Sequence, residues 1–137
     1  MRLLALSEWP ELDHVAREFS SEPHDVLRAP ETGMVMLRGR MGATGAAFNL
    51  GEATVTRCAV KLKDGFEGHS YVMGRNGAHA RTAALCDALL QRPDSHEMVL
   101  TKVLVPLEQK LLERQMTTAS KAAATKVDFF TMVRGDV

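Results

Sequence analysis

Between Ala53 and Met73 the chain has few options other than to fold back on itself. Ala53 to Lys63 is rich in β-favouring residues, Asp64 and Gly65 supply turn chemistry, and Glu67 to Met73 resumes the strand pattern. An antiparallel hairpin with a two-residue turn at Asp64 and Gly65 is therefore predicted. The next segment narrows the fold further. Asn76 is a good helix cap, and a helix is predicted from Gly77 to Gln91, with Ala78, Thr82, Leu85 and Leu89 on one face and Pro93 just past its end.

Pro10 suits a first helical position, and Leu12, Val15, Ala16 and Phe19 recur at helical spacing before Pro23. His24 to Ala29 reads as extended. Pro30 and Gly33 are expected to turn the chain into a β-favouring run from Met34 to Met41, and a Gly-rich loop from Gly42 to Gly45 follows. Met98 to Val105 suits a strand by its β-branched residues and a helix by its spacing; Pro106 is expected to end either. Leu107 to about Ala124 is predicted helical, with Leu111, Leu112, Met116, Ala119 and Ala123 inward and Glu108, Lys110, Glu113 and Arg114 outward. The expected fold class is α+β: a single domain over residues 1–137, an antiparallel sheet with helices packed mainly on one face.

At 137 residues the chain can bury a core of its own. Seventeen basic and seventeen acidic residues cancel and no block of like charge occurs, so the pattern of a nucleic-acid or anionic-membrane binder is missing. Met1 to Leu6 is too short for a signal-peptide core, and nowhere do eighteen apolar residues run together. A cytoplasmic protein is expected. Cys58 and Cys86 form no Cys-x-x-Cys pair and sit among apolar neighbours, which favours buried, reduced thiols.

Alternation places Arg38 and Arg40 on one strand face, and Arg57, Lys61 and Lys63 on one face of the next strand. If the two strands pair, five cations share a sheet face. That face is either a solvated surface balanced by Glu52 and Glu67 or a site for an anion or an acidic partner. Gly42, Thr44 and Gly45, directly after Arg40, could add an anion nest of backbone N–H groups, although no Lys-Ser or Lys-Thr follows to make a nucleotide loop. The five histidines show no metal-ligand spacing. His79, near a helix N-terminus, either meets a phosphate or partner or is a neutral ring bonded locally. No nucleophile has an evident base, so no catalytic residue is assigned and independent catalysis is not expected. At the C-terminus, Phe129 and Phe130 are two of only five phenylalanines, and a docked terminal strand is expected, with one ring in this chain's core and the other in a partner.

The segments ETGMV (31–35), RMGATG (40–45), EATVTRCAVKL (52–62), YVMGRNGAHA (71–80), ALCDAL (84–89) and VDFFTMVRGD (127–136), in this order, resemble the PhnG family of the bacterial carbon–phosphorus lyase system. The resemblance covers residues 28 to 91 and 120 to 136. Glu31, Thr32, Gly33, Thr56, Asp87 and Asp128 fall on its pattern, whereas Arg38 and His69 do not. It weakens the five-cation face and shifts the weight to Arg40, Arg57, Arg75 and Arg134; the candidate anion or partner contacts are Arg40, Gly42, Thr44, Gly45, Arg57, Arg75 and His79, and the candidate partner interface is Phe129, Phe130, Met132 and Arg134. The resemblance implies a cytosolic protein that assembles with the H, I and J subunits of the carbon–phosphorus lyase system, in a complex that joins a phosphonate to the ribose of ATP with loss of adenine. No cofactor is expected in this chain; S-adenosylmethionine and an iron–sulfur cluster would belong to the J subunit. The rival reading is a stand-alone binder of a small anionic metabolite at Arg40, Arg57 and the Gly42 to Gly45 loop.

Overall fold

The hairpin and the helix after it form the centre of the structure, a computed structural model that describes residues 1–42 and 44–126. Two short helices open the chain, α1 (Arg2–Leu6) and α2 (Trp9–Ala16), and a 3₁₀ turn follows at Arg17–Phe19. Strands β1 (His24–Arg40), β2 (Ala47–Leu62) and β3 (Glu67–Met73) make one antiparallel sheet in the order β1-β2-β3. Helices α3 (Gly77–Gln91), α4 (Pro93–Val99) and α5 (Val105–Ala124) complete the chain, with a π-helical turn at Leu100–Leu104 between the last two. The fold is α+β, as expected. The C-terminal strand and the residues placed on it, Phe129, Phe130, Met132 and Arg134, lie outside the described residues.

Helix α3 starts where Asn76 Oδ1 accepts the His79 backbone N–H at 3.0 Å. Its buried face is mostly alanine: Ala80, Ala83, Ala84 and Ala88 have no exposed surface. The buried set also includes His79, Leu85, Cys86 and Leu89, whereas Ala78 is exposed and Thr82 half-buried, so the inward face is rotated from the predicted one. Small residues let the helix lie almost directly on β3. A Cβ added at Gly68 would stand 2.0 Å from the Ala84 carbonyl oxygen and 2.4 Å from the Ala88 nitrogen. The Leu, Val and Phe side chains of the core, among them Leu4, Leu12, Phe19, Val60, Leu62, Val72, Leu89, Val99 and Val103, gather around this contact.

Several expectations need correction. The β2–β3 loop has three residues, Lys63 to Gly65: the Gly65 N–H reaches the Leu62 carbonyl at 2.9 Å, the Leu62 N–H reaches the Phe66 carbonyl at 2.8 Å, and Gly65 takes φ +101°. Strand β1 does not turn at Pro30 and Gly33. It runs through with register shifts between Val26 and Arg28 and between Arg28 and Glu31, because a proline on an edge strand forfeits no ladder bond and a bulge absorbs the misfit. Residues 98 to 105 are helical, and Pro106 ends nothing: the wider π turn before it accommodates the missing N–H and the ring. In α5 only Leu107 is buried; Leu112, Met116, Ala119 and Ala123 are exposed, and Arg114, expected outward, is half-buried on Glu8 and Glu11.

Candidate functional site

Helices cover the sheet face that carries Cys58, Val60, Leu62, Ser70 and Val72; the opposite face is open. Across its middle runs a row set by register, with Glu31 of β1 opposite Arg57 of β2 and Arg57 opposite Tyr71 of β3. The Arg57 guanidinium meets one Glu31 carboxylate oxygen twice, with Nε and Nη2 each at 3.2 Å, and Arg28 Nη1 stands 3.7 Å from the same oxygen. Hydrogen bonding to Glu31, and secondarily to Tyr71, raises the Arg57 pKa above its ordinary value. Shallow depressions flank the row: one of about 150 Å³ bounded by Gly33, Val35 and Val55, the other of about 350 Å³ bounded by Leu27, Arg28, Ala59 and His69.

The five-cation face does not form. Arg38 and Arg40 pair in register with Asn49 and Ala47, eight to ten residues from Arg57 along β2, or roughly 25 to 33 Å at about 3.3 Å per residue. The remaining cations are neutralised locally. Lys61 Nζ is 3.0 Å from Glu67 and Lys63 pairs with Asp25, so the solvated, balanced reading describes this face.

Nor is the loop after Arg40 an open nest. The Thr44 N–H is spent on the Gly42 carbonyl (2.8 Å) and the Gly45 N–H on the Met41 carbonyl (3.1 Å), while Arg40 donates to the Gly45 carbonyl at 3.1 Å. A Cβ at Gly45 would fall 2.7 Å from the Met41 oxygen, so the tight closure itself requires glycine there. His79 is no surface ligand either. Its ring is 5 % exposed, donates from Nε2 to the Leu4 carbonyl at 2.7 Å and lies 6.0 Å from the Trp9 ring. The imidazole pins α1 and α2 to α3. Arg75 is exposed after β3 and makes no hydrogen bond or ion pair among the described residues. Arg40, Arg57, Arg75 and His79 thus occupy four separate places.

Known proteins supply a family for a chain with this geometry. The family model of the phosphonate metabolism protein PhnG matches residues 1–135. The chain belongs to the PhnG family. A relative from Rhizobium meliloti (strain 1021), α-D-ribose 1-methylphosphonate 5-triphosphate synthase subunit PhnG, is 42% identical over 137 residues, spanning 99% of this chain and 87% of that protein. The match extends beyond the motifs at residues 28 to 91 and 120 to 136 to take in α1, α2, α4 and most of α5.

Several motif residues of this PhnG-family chain turn out to be locks of the sheet. Thr32 and Thr56 meet hydroxyl to hydroxyl at 3.1 Å across β1 and β2, and the buried Thr56 hydroxyl donates to the Gly74 carbonyl at 2.7 Å. Asp87 of α3 accepts the His69 backbone N–H at 3.1 Å, and Gln91 Nε2 donates to the Glu67 carbonyl at 2.6 Å. The free edge of β3 is thereby closed by side chains of its own helix. Cys58 and Cys86 are separate, buried thiols; burial raises the pKa of both, that of Cys86 to about 12. Among the described residues no three His, Cys, Asp or Glu side chains are placed to hold a metal ion, and no helix is long and apolar enough to cross a membrane.

Sequence reasoning missed the role of Tyr71 and, more consequentially, the exposure of the outer half of β1 and β2. The signal was available. Met34, Val35, Met36 and Leu37 form an unbroken apolar run, which a strand with one solvated face would not carry, and all four are exposed.

Proposed function

We propose that this chain is the PhnG component of a carbon–phosphorus lyase core complex, assembling with the H, I and J subunits. The complex forms α-D-ribose 1-methylphosphonate 5-triphosphate from ATP and methylphosphonate with release of adenine. The chain contributes structure and assembly, and the chemistry is centred on another component. ATP is a substrate of the whole complex, whereas S-adenosylmethionine and the iron–sulfur cluster belong to the J subunit, in the cytoplasm. The observation that carries this reading is the row of exposed Met34, Met36, Met41, Phe48 and Leu50 on a member of the PhnG family, since a protein that acts by assembly must present apolar surface to its neighbours. The arrangement of chemical groups among the described residues supports it: Glu31 is held by two arginines, and the two thiols are buried apart, too few and too separate to hold a cluster.

The test is assembly and turnover together. The H, I and J subunits are expected to co-purify with the tagged chain, and the purified complex to release adenine from ATP and methylphosphonate. The chain alone is expected to release none and to associate weakly through its apolar surface. Adenine release by the isolated chain, lost on a point substitution within it, would refute the assignment. The metabolite-binder reading predicts a monodisperse chain whose melting temperature rises with phosphate; the distance between Arg40 and Arg57 speaks against it.

A further inference from the structure

Strand β3 stops pairing at Met73, opposite Val55, and nothing replaces it among the described residues. Beyond that point β1 and β2 continue alone, from Met34 to Arg40 and from Ala47 to Thr54, as a two-stranded ribbon about 25 Å long at ~3.3 Å per residue. A ribbon of this kind is marginal in water without a third strand or a helix against it. Its side chains are also wrong for water on both faces. Met34 and Met36 project from one side and Val35 and Leu37 from the other, with Phe48 and Leu50 farther out, and every one is exposed. Leu50 is the extra residue of a bulge, since Leu37 pairs with Gly51 and Arg38 with Asn49, so the ladder skips it and it stands 66% exposed.

Resting on the assembly role proposed for this chain, we infer that the ribbon is its docking arm, and that it inserts into an apolar cleft with an acidic rim on a different component of the same complex. A cleft rather than a flat surface is required because both faces are apolar. Charge selects the rim: the outer part of the ribbon, residues 37 to 51, carries Arg38 and Arg40 and no other charged side chain, and the ribbon's one carboxylate, Glu52, lies nearer its base opposite Met36. The Arg38 side chain makes no hydrogen bond or ion pair among the described residues. The same charge argues against a second copy. Two arms meeting tip to tip in isologous contact would bring the arginine pairs together. The chain's own apolar groove at Leu6, Leu111 and Ala119 is edged by Arg114, which is itself a cation paired with Glu8 and Glu11.

The experiment compares full-length chains co-expressed with the H, I and J subunits, using wild type, the double variant Met36→Glu with Phe48→Glu, Arg38→Glu, and Met116→Glu on exposed α5 as a control. The double variant is expected to reduce co-purified partner about 10-fold or more, the equivalent of about 1.4 kcal/mol, while the melting temperature of the isolated chain stays that of wild type. Arg38→Glu, a fully surface change that decides the matter should the double variant fail to fold, is expected to weaken assembly at low salt and less at high salt. Met116→Glu is expected to assemble normally. Wild-type recovery of partner by both arm variants would overturn the docking arm while leaving the assembly reading intact, whereas failure of the wild-type chain to capture any partner would sink the assembly reading itself. A discrete homodimer of the pure chain that either arm variant dissociates would assign the arm to a second copy and equally overturn the inference.

Discussion

The two ends of the β1–β2 ladder are built from the same pair of strands and differ in almost everything around them. At the inner end β2 is flanked by β3, covered by α3, and even the far edge of β3 is closed by Asp87 and Gln91. At the outer end both strands are edges, both faces are bare, and the apolar side chains point at solvent. The alternation of the chain changes accordingly. β3 reads exposed and buried in strict turn, whereas β1 is exposed almost throughout. A strand does not determine its own burial; the helix laid across it does. Where no helix reaches, an apolar ribbon remains that another surface has to cover.

The largest expected effect probes the tight contact at the inner end. Gly68→Ala would drive a Cβ into backbone atoms of α3 at 2.0 and 2.4 Å, and should cost upwards of about 3 kcal/mol, at the top of the overpacking range. Gly33→Ala at the base of the outer ribbon meets nothing within 4 Å, and should change stability by less than about 0.5 kcal/mol. Urea melts of the two variants check the contrast, which collapses if they are equally destabilised.

Next comes pH. The Cys86 thiol is held neutral by burial, its pKa raised from 9.0 to about 12, so the unfolded chain loses the proton first. The contribution is complete below pH 9.0 and is lost as the pH rises toward about 12, at no more than about 1.4 kcal/mol per pH unit. Urea midpoints at rising alkaline pH should fall more steeply for wild type than for Cys86→Ala; parallel curves would show that the thiol does not sense its burial.

His79→Ala removes the bond to the Leu4 carbonyl, which keeps the Ser7 hydroxyl as its other donor, and the packing on Trp9, and should cost about 1 to 3 kcal/mol for the lost buried hydrogen bond and ring together. Amide exchange should then speed up in α1 before it does in α3. The smallest effect belongs to the open face. Glu31→Gln breaks an exposed pair with Arg57 and should leave the melting temperature of the isolated chain unchanged within error; a clear fall would mean that the row holds the sheet together.

Much of the inner end was legible in the residues. The bounds of β3 and α3 follow from local signals that agree with one another: the turn residues, the alternation from Glu67, the Asn76 cap and Pro93. The candidate site was far less legible. Arg40 and Arg57 share a parity along their strands, yet which residues face each other depends on register, and one bulge and a long arm separate them. The inward face of α5 failed for a related reason. Leu112, Met116, Ala119 and Ala123 do form a stripe, but the helix runs past the core after Leu107, and a stripe states which side would be buried, not that anything is there to bury it.

By itself, then, the sequence determined the elements held by short-range chemistry, the α+β class and the family. Caps, turns and alternation act over a few residues, and motifs are read one position at a time. Only the tertiary structure decided what those elements meet: that His79 faces inward to Leu4, that Glu31 neutralises Arg57, that Gly68 is the point where helix and sheet touch, and that the outer half of β1 and β2 goes uncovered. Each of these depends on groups brought together from distant parts of the chain, and such proximity follows from packing the whole core rather than from any local preference.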